Sequence, residues 1–198
     1  MTEAPAALYF TPSAEANRLL AQEPLALMLG MLLDQQVTME WAFGAPLLLA
    51  QRLGVDHLDA AAIAAMDPAA LEAVFRAKPA LHRYPASMAK RTQDLCRHLV
   101  EHHGGRADEV WADARTGEEL LARVEALPGF GKDKSRIFVG VLGKRLGVQP
   151  PGWEQAAADW ASIADVDSFE RVAEIREQKR AAKAKNSAAP AAKAQSQA

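Results

Sequence analysis

The stretch LPGFGKDKS, residues 127–135, crowds a proline, two glycines and two lysines into nine positions. Gly129 and Gly131 can supply the positive φ that a tight turn between helices needs. The helix predicted to follow starts at the turn itself, so its first amides have no partner within it. Such amides, beside glycines that carry no side chain, make a seat for a phosphate oxygen. Lys132 and Lys134 fall in the first turn, where the helix dipole disfavours cations, and an anion bound there would offset that. The same residues also describe a glycine-capped turn with solvated lysines. Spacing alone leaves both readings open.

Other residues that could do chemistry are few. His98 and His102 stand four apart, a spacing that can clasp zinc, with His103 adjacent. No acidic partner completes a HExxH-like pattern, and a helix C-terminus attracts histidines anyway, so no metal site is expected. Cys96 is the single cysteine. It excludes an internal disulfide and an iron–sulfur cluster held by four thiolates of this chain, and it reads as a small buried apolar residue. Gln35 and Gln36 taken alone are helix-terminal polar groups facing water.

The elements that must position these groups are helices. Of the 198 residues 49% are hydrophobic and only 6% aromatic, with a formal net charge of -2. That composition supports one ordinary domain and favours helix over sheet. Nucleic-acid binding is not excluded, because clustering of basic groups matters more than their sum. Caps and breakers outline the runs SAEANRLLAQ after Thr11-Pro12, LALMLGMLLDQQ after Pro24, and MEWAFGAPLLLAQRL ending at Gly54, bent or split at Gly44 and Pro46. Asp59 and Asp67-Pro68 open two short helices, and Pro85 opens a long amphipathic one that Gly104-Gly105 stops. Capping boxes are predicted at Thr116–Glu119 and Asp167–Glu170, with a break at Gln149–Gly152. No run alternates with a period of two, so no strand is expected.

Residues 179–198, rich in alanine and lysine, contain no large apolar side chain. A disordered tail is predicted there, and its charges, Lys179, Arg180, Lys183, Lys185 and Lys193, suit either loose phosphate contact or plain solubility. The N-terminal MTEAPAALYF lacks a basic region followed by an apolar core, and no apolar run reaches membrane-spanning length. The expectation is a soluble, cytoplasmic protein.

LPGFGKDKS resembles the hairpin of the helix-hairpin-helix DNA glycosylases, the endonuclease III-like (HhH-GPD) superfamily, whose pattern is Leu-Pro-Gly-X-Gly followed by a basic helix. LLDQQVTMEWA is similar to that family's early segment, where a buried helix ends in a glutamine-containing turn. FRAKPALHRYPASMAKRTQDLCRHLVEHHGG is similar to the segment before the hairpin. Order and spacing agree from about Leu25 to Gly147.

The resemblance implies an all-α, two-lobed glycosylase fold over residues 1–178, with DNA in the cleft. Lobe A would cover about 25–127, and lobe B about 1–24 plus 128–178. It implies that Gly129, Phe130, Gly131 and Lys132 hold a phosphate of double-stranded DNA, aided by Lys134 and a monovalent cation at the hairpin. Gln35 or Gln36 would fill the gap left by a base rotated out of the duplex. Arg83, Lys90 and Arg91 would line the same face. The implied role is recognition of damaged or mismatched bases in base-excision repair by a monomer without an iron–sulfur cluster.

The chain departs from the family pattern where cutting is concerned. Breaking the glycosidic bond needs a carboxylate to stabilise charge on the sugar. The family position for it falls at about Pro151, and the position of the bifunctional members' nucleophilic lysine is Asp133. The cysteine-rich C-terminal loop is absent. Either another carboxylate serves, with Asp159 and Asp165 ahead of Glu154 and Asp167, or the chain binds DNA without cutting. The third alternative is a glycosylase fold turned to protein interaction.

Overall fold

A computed structural model describes residues 7–175 and 177–178. The predicted tail therefore lies outside the described residues. Among them the chain is all-helical, with no strand, and no helix is long and apolar enough to cross a membrane.

Ser13 opens α1 (Ala14–Gln22) by accepting the Ala16 N–H. Within α1, the buried Asn17 accepts the N–H groups of Phe10 and Thr11 at 3.1 and 3.0 Å and donates to the Thr11 carbonyl, folding the entering chain back. Phe10 then meets Phe43 edge to face, 5.0 Å between centroids. The next helix, α2 (Pro24–Leu33), buries every residue from Leu25 to Leu33, as its unbroken apolar run requires. It packs on α1, on α3 (Met39–Leu53) and on α6 (Pro85–His103). Gly30 lets α3 come close, since a Cβ there would stand 2.6 Å from the Phe43 ring. α3 was expected to bend or split at Gly44 and Pro46, yet it runs unbroken. Proline forfeits one hydrogen bond, and burial of Ala42, Phe43, Ala45, Pro46 and Leu49 outweighs that loss.

Asp59 caps α4 (Ala60–Ala65) and Asp67 caps α5 (Pro68–Arg76), each through its carboxylate. Both helices lie on α6, where the buried Gln93 donates to the Met66 carbonyl at 2.6 Å and closes the end of α4. Cys96 lies fully buried on α6, and burial pushes its thiol up to about 12, which leaves it unreactive.

Thr116 caps α7 (Gly117–Glu125) by accepting the Glu119 N–H, but the Glu119 carboxylate accepts from Arg115 rather than from Thr116. The predicted capping box is thus half formed. α8 (Lys132–Leu146) runs from Gly131 to the left-handed Gly147, and α9 (Trp153–Ala156) follows. A complete capping box joins Ser162 and Asp165 in a 3₁₀ turn, Ile163–Asp165, ahead of helical residues 169–175.

One continuous apolar core runs through these elements. α1 lies on α2 and α3, with Leu20 buried, and α7 lies on α8 and α9, with Leu120 and Val124 buried. The Gly117 N–H donates to the Pro151 carbonyl at 2.8 Å, so the start of α7 is sealed by the turn before α9.

Candidate nucleic-acid interface

The hairpin between α7 and α8 is held by its apolar members. Leu127 and Phe130 are buried, the Phe130 N–H donates to the Leu127 carbonyl at 3.1 Å, and the Phe130 ring packs on Phe138 with 5.6 Å between centroids. Any contact of Phe130 with a ligand would therefore run through its backbone. Gly129 has φ 86, and a side chain there would run into Leu32 of α2. Gly131 differs in kind. It is exposed and extended (φ -81, ψ 168), with no atom within 4 Å of where a Cβ would stand. No side chain caps α8, so its first-turn N–H groups face outward beside the exposed Lys132 and Asp133.

Lys134 turns the other way. Its ammonium donates to the carbonyls of Met31 and Leu32 at 2.6 and 2.9 Å, closing the C-terminal end of α2, and lies 5.9 Å over the Phe130 ring. Burial pulls its pKa down to about 8, and the Arg91 charge adds to the fall while Asp34 opposes it. Only the backbone N–H of Lys134 is directed as a phosphate contact would need.

The α2 end that Lys134 holds leads directly into the glutamine turn. The Gln35 carboxamide is engaged at both ends, donating to the Leu32 carbonyl and accepting from Arg91, each at 2.8 Å. Gln36 is exposed and left-handed, φ 56. Beneath the turn sits His82, fully buried. Its Nδ1 accepts the Tyr84 N–H at 3.0 Å, so the proton is on Nε2, which donates to the Gln35 carbonyl at 3.0 Å. Burial lowers the His82 pKa, with the charges of Lys134 and Arg91 acting the same way against the carbonyl contacts of Gln35 and Leu33. The Tyr84 hydroxyl donates to Gln36 Oε1 at 3.3 Å, and the Trp41 indole N–H donates to the Ala80 carbonyl at 3.0 Å. These two residues stay 42% exposed although their polar ends are tied, which leaves aromatic surface open to solvent. Arg83 lies 5.3 Å over the Tyr84 ring, and Lys90 pairs with Asp94 at 2.7 Å.

A chain of contacts thus brings Gln35, Gln36, Gly129, Phe130, Gly131, Lys132 and Lys134 together: Gly129 on Leu32, Lys134 on Met31 and Leu32, Gln35 on Leu32 and Arg91, Tyr84 on Gln36. Sequence reasoning missed Trp41, His82 and Tyr84 as members. Their partners lie 39, 47 and 48 residues away in the chain, and only the prolines around LHRY hinted at a shaped loop.

The carboxylates lie elsewhere. Asp165 pairs with Lys144 at 2.6 Å and accepts the Ser162 N–H at 2.9 Å, near the far end of α8. Lys144 is about 18 Å along the helix axis from Lys132. Burial alone would raise the Asp165 pKa, but the Lys144 and Ser162 hydrogen bonds and the charges of Lys144 and Arg145 outweigh it and hold it below the usual range. Asp159 is exposed, in a segment that lies nearer the hairpin: the Ala158 N–H donates to the Arg136 carbonyl at 3.0 Å, and Arg136 covers the Trp160 ring at 5.7 Å. Pro151, where the family acid would fall, belongs to the turn that seals α7.

The His98 ring lies tilted against those of His102 and His103, centroids 4.5 and 5.8 Å apart, and burial followed by His102's charge lowers the pKa of both His98 and His103. Among the described residues no three His, Cys, Asp or Glu groups gather as a metal site would require. Compared with known protein families, curated proteins and solved structures, the chain gives no match.

Proposed function

We propose that this chain binds double-stranded DNA in the manner of a base-excision-repair glycosylase, recognising a damaged or mismatched base by gripping the backbone at its hairpin and rotating a nucleotide out of the stack. The observation that carries the reading is the direct join between hairpin and glutamine turn through Lys134, Leu32 and Gly129. A phosphate seat and a gap-filling side chain must be held in fixed register to act on one duplex, and this join does that. The outward amides from Gly131 onward and the Lys132 ammonium receive a phosphate. Arg83 and Arg91 add positive charge beside it, and Trp41 and Tyr84 offer aromatic faces to unstacked bases. A monovalent cation beside the hairpin would be held by backbone carbonyls of 127–131, hard donors of the right kind. Of these the Leu127 carbonyl already accepts one N–H, and the Gly131 carbonyl accepts both the N–H and the hydroxyl of Ser135. The two-lobed glycosylase architecture and DNA in its cleft belong to the same proposal.

A second reading, binding without base removal, is favoured by the carboxylates. Asp165 is committed to Lys144, Pro151 has no acid, and Asp133 stands where a lysine nucleophile would be. Asp159 is the candidate acid to test first, with Glu154 and Asp167, both exposed, behind it. The test is a panel of duplexes carrying uracil, oxidised, alkylated or mismatched bases, scored for binding and for alkali-labile abasic product. Glycosylase action predicts product that Asp159→Asn removes. Tight, salt-sensitive binding without product selects the binder, and no preference for any duplex over competitor protein surfaces rejects DNA as the ligand.

A further inference from the structure

Of the five histidines only His82 is fully buried. On one side of its ring Nε2 donates to the Gln35 carbonyl at 3.0 Å, just past the end of α2. On the other, Nδ1 accepts the Tyr84 N–H at 3.0 Å, one residue before α6. The rings of Trp41 from α3 and of Tyr84 lie 6.4 and 6.0 Å away. The charges acting on His82 are those of Lys134 from α8 and Arg91 from α6, both positive, while Asp34 of the same turn acts on Lys134. This pocket fits the neutral imidazole. A proton on Nδ1 would set one N–H against another, the Tyr84 amide, and would add a third cation beside two.

The chain on the two sides of His82 is unequally held. Leu81 is buried, and its N–H donates to the Phe75 carbonyl at 3.0 Å. Arg83 and Tyr84 are exposed, and Tyr84 is tied through its N–H on His82 and its hydroxyl on Gln36, 3.3 Å. Three residues, His82 to Tyr84, thus lie between a fixed Leu81 and the first residue of α6, Pro85.

We infer that His82 is an acid-operated latch: protonation expels its ring and swings out His82–Tyr84, so that the face carrying Arg83, Tyr84 and the glutamine turn comes apart in acid and re-forms at neutral pH. The latch does not rest on the DNA-binding reading and holds whatever that face binds. Burial, with the Lys134 and Arg91 charges, keeps the closed-state pKa below 6.5 against the pull of the Gln35 and Leu33 carbonyls. The latch is therefore fully shut above the open-state value and loses its hold as pH falls from there to the closed-state value.

The experiment is amide hydrogen exchange by NMR on the full chain, without ligand, from about pH 7.5 to about pH 5. The protection factor of the Tyr84 N–H should fall by up to about tenfold per pH unit below 6.5. The Leu81 N–H, on the fixed side, should stay at least about tenfold better protected throughout. His82→Gln, which does not titrate, should leave Tyr84 protection independent of pH. Lys134→Met takes away one facing cation and brings the closed-state pKa nearer the open one, so the total fall should shrink. Wild-type Tyr84 protection that does not change with pH, or that equals that of Leu81 at every pH, overturns the inference. So does a fall that persists in His82→Gln. The first two outcomes are read on the wild type alone and decide the question even where a variant fails to fold.

Discussion

Replacing Lys134 by methionine tests the join at its centre. The substitution keeps an unbranched stem against Phe130 and removes the two hydrogen bonds, 2.6 and 2.9 Å, to the Met31 and Leu32 carbonyls. Leu32 retains the Gln35 amide as a donor, so Met31 is the carbonyl that loses its side-chain partner. Hydrogen bonds of the amine contribute about 1 kcal/mol each, but burying the ammonium costs as much or more near neutral pH, so the substitution should change stability little there and cost about 2 kcal/mol once the amine is neutral. The pH dependence separates this account from simple packing. The Lys134 pKa falls from 10.5 to about 8 on folding. Between those values the unfolded chain binds more protons than the folded one, so this group makes stability rise with pH. Urea unfolding of both proteins at about pH 7 and about pH 10 should show the wild type gaining on Lys134→Met at the higher pH. A deficit that shrinks, or no deficit at either pH, would refute the buried amine and with it the coupling of hairpin to glutamine turn.

His82 makes the same turn acid-sensitive in a lower window. Its folded pKa lies below the 6.5 of the unfolded state, so stability is lost as pH falls below 6.5 and through the folded value. His82→Gln should lose less melting temperature than wild type between neutral pH and that window, and an equal loss in both proteins would contradict the assignment. Gly129→Ala meets a positive φ and the Leu32 side chain together, and should cost about 2–4 kcal/mol with an unchanged urea m-value. A near-neutral result would mean that the hairpin does not pack on α2.

Much of the fold was legible because helix caps are local. Asp59, Asp67 and Thr116 as caps, Pro24 and Pro85 as openers and glycines at several ends outlined most of the helices, whereas Thr11-Pro12, read as the start of α1, precedes its actual cap at Ser13. What escaped was set by contacts between distant residues. Pro46 reads as a breaker, yet α3 continues through it with its apolar face buried. The Thr116 box reads as closed, yet Glu119 chose a neighbouring N–H. In the site, the hairpin and the glutamine turn could both be singled out from type and spacing. Which member faced out could not. Lys132 and Lys134 look equivalent in KDK, but a rotation of about 200° along a helix separates them, and α2 lies on the Lys134 side. Likewise Gln35 and Gln36 differ only through Arg91 and Tyr84, 56 and 48 residues away.

The most direct measurement of the central claim is duplex binding by Gly131→Asp. Gly131 is extended and open, so aspartate fits there and, as a helix N-cap, should leave stability unchanged or raise it by about 0.5 kcal/mol or less. The carboxylate would occupy the phosphate seat. The account predicts a fully folded variant whose affinity for duplex DNA falls about tenfold or more, with a salt dependence shallower by about one phosphate contact. A folded variant with wild-type affinity and wild-type salt slope would contradict it.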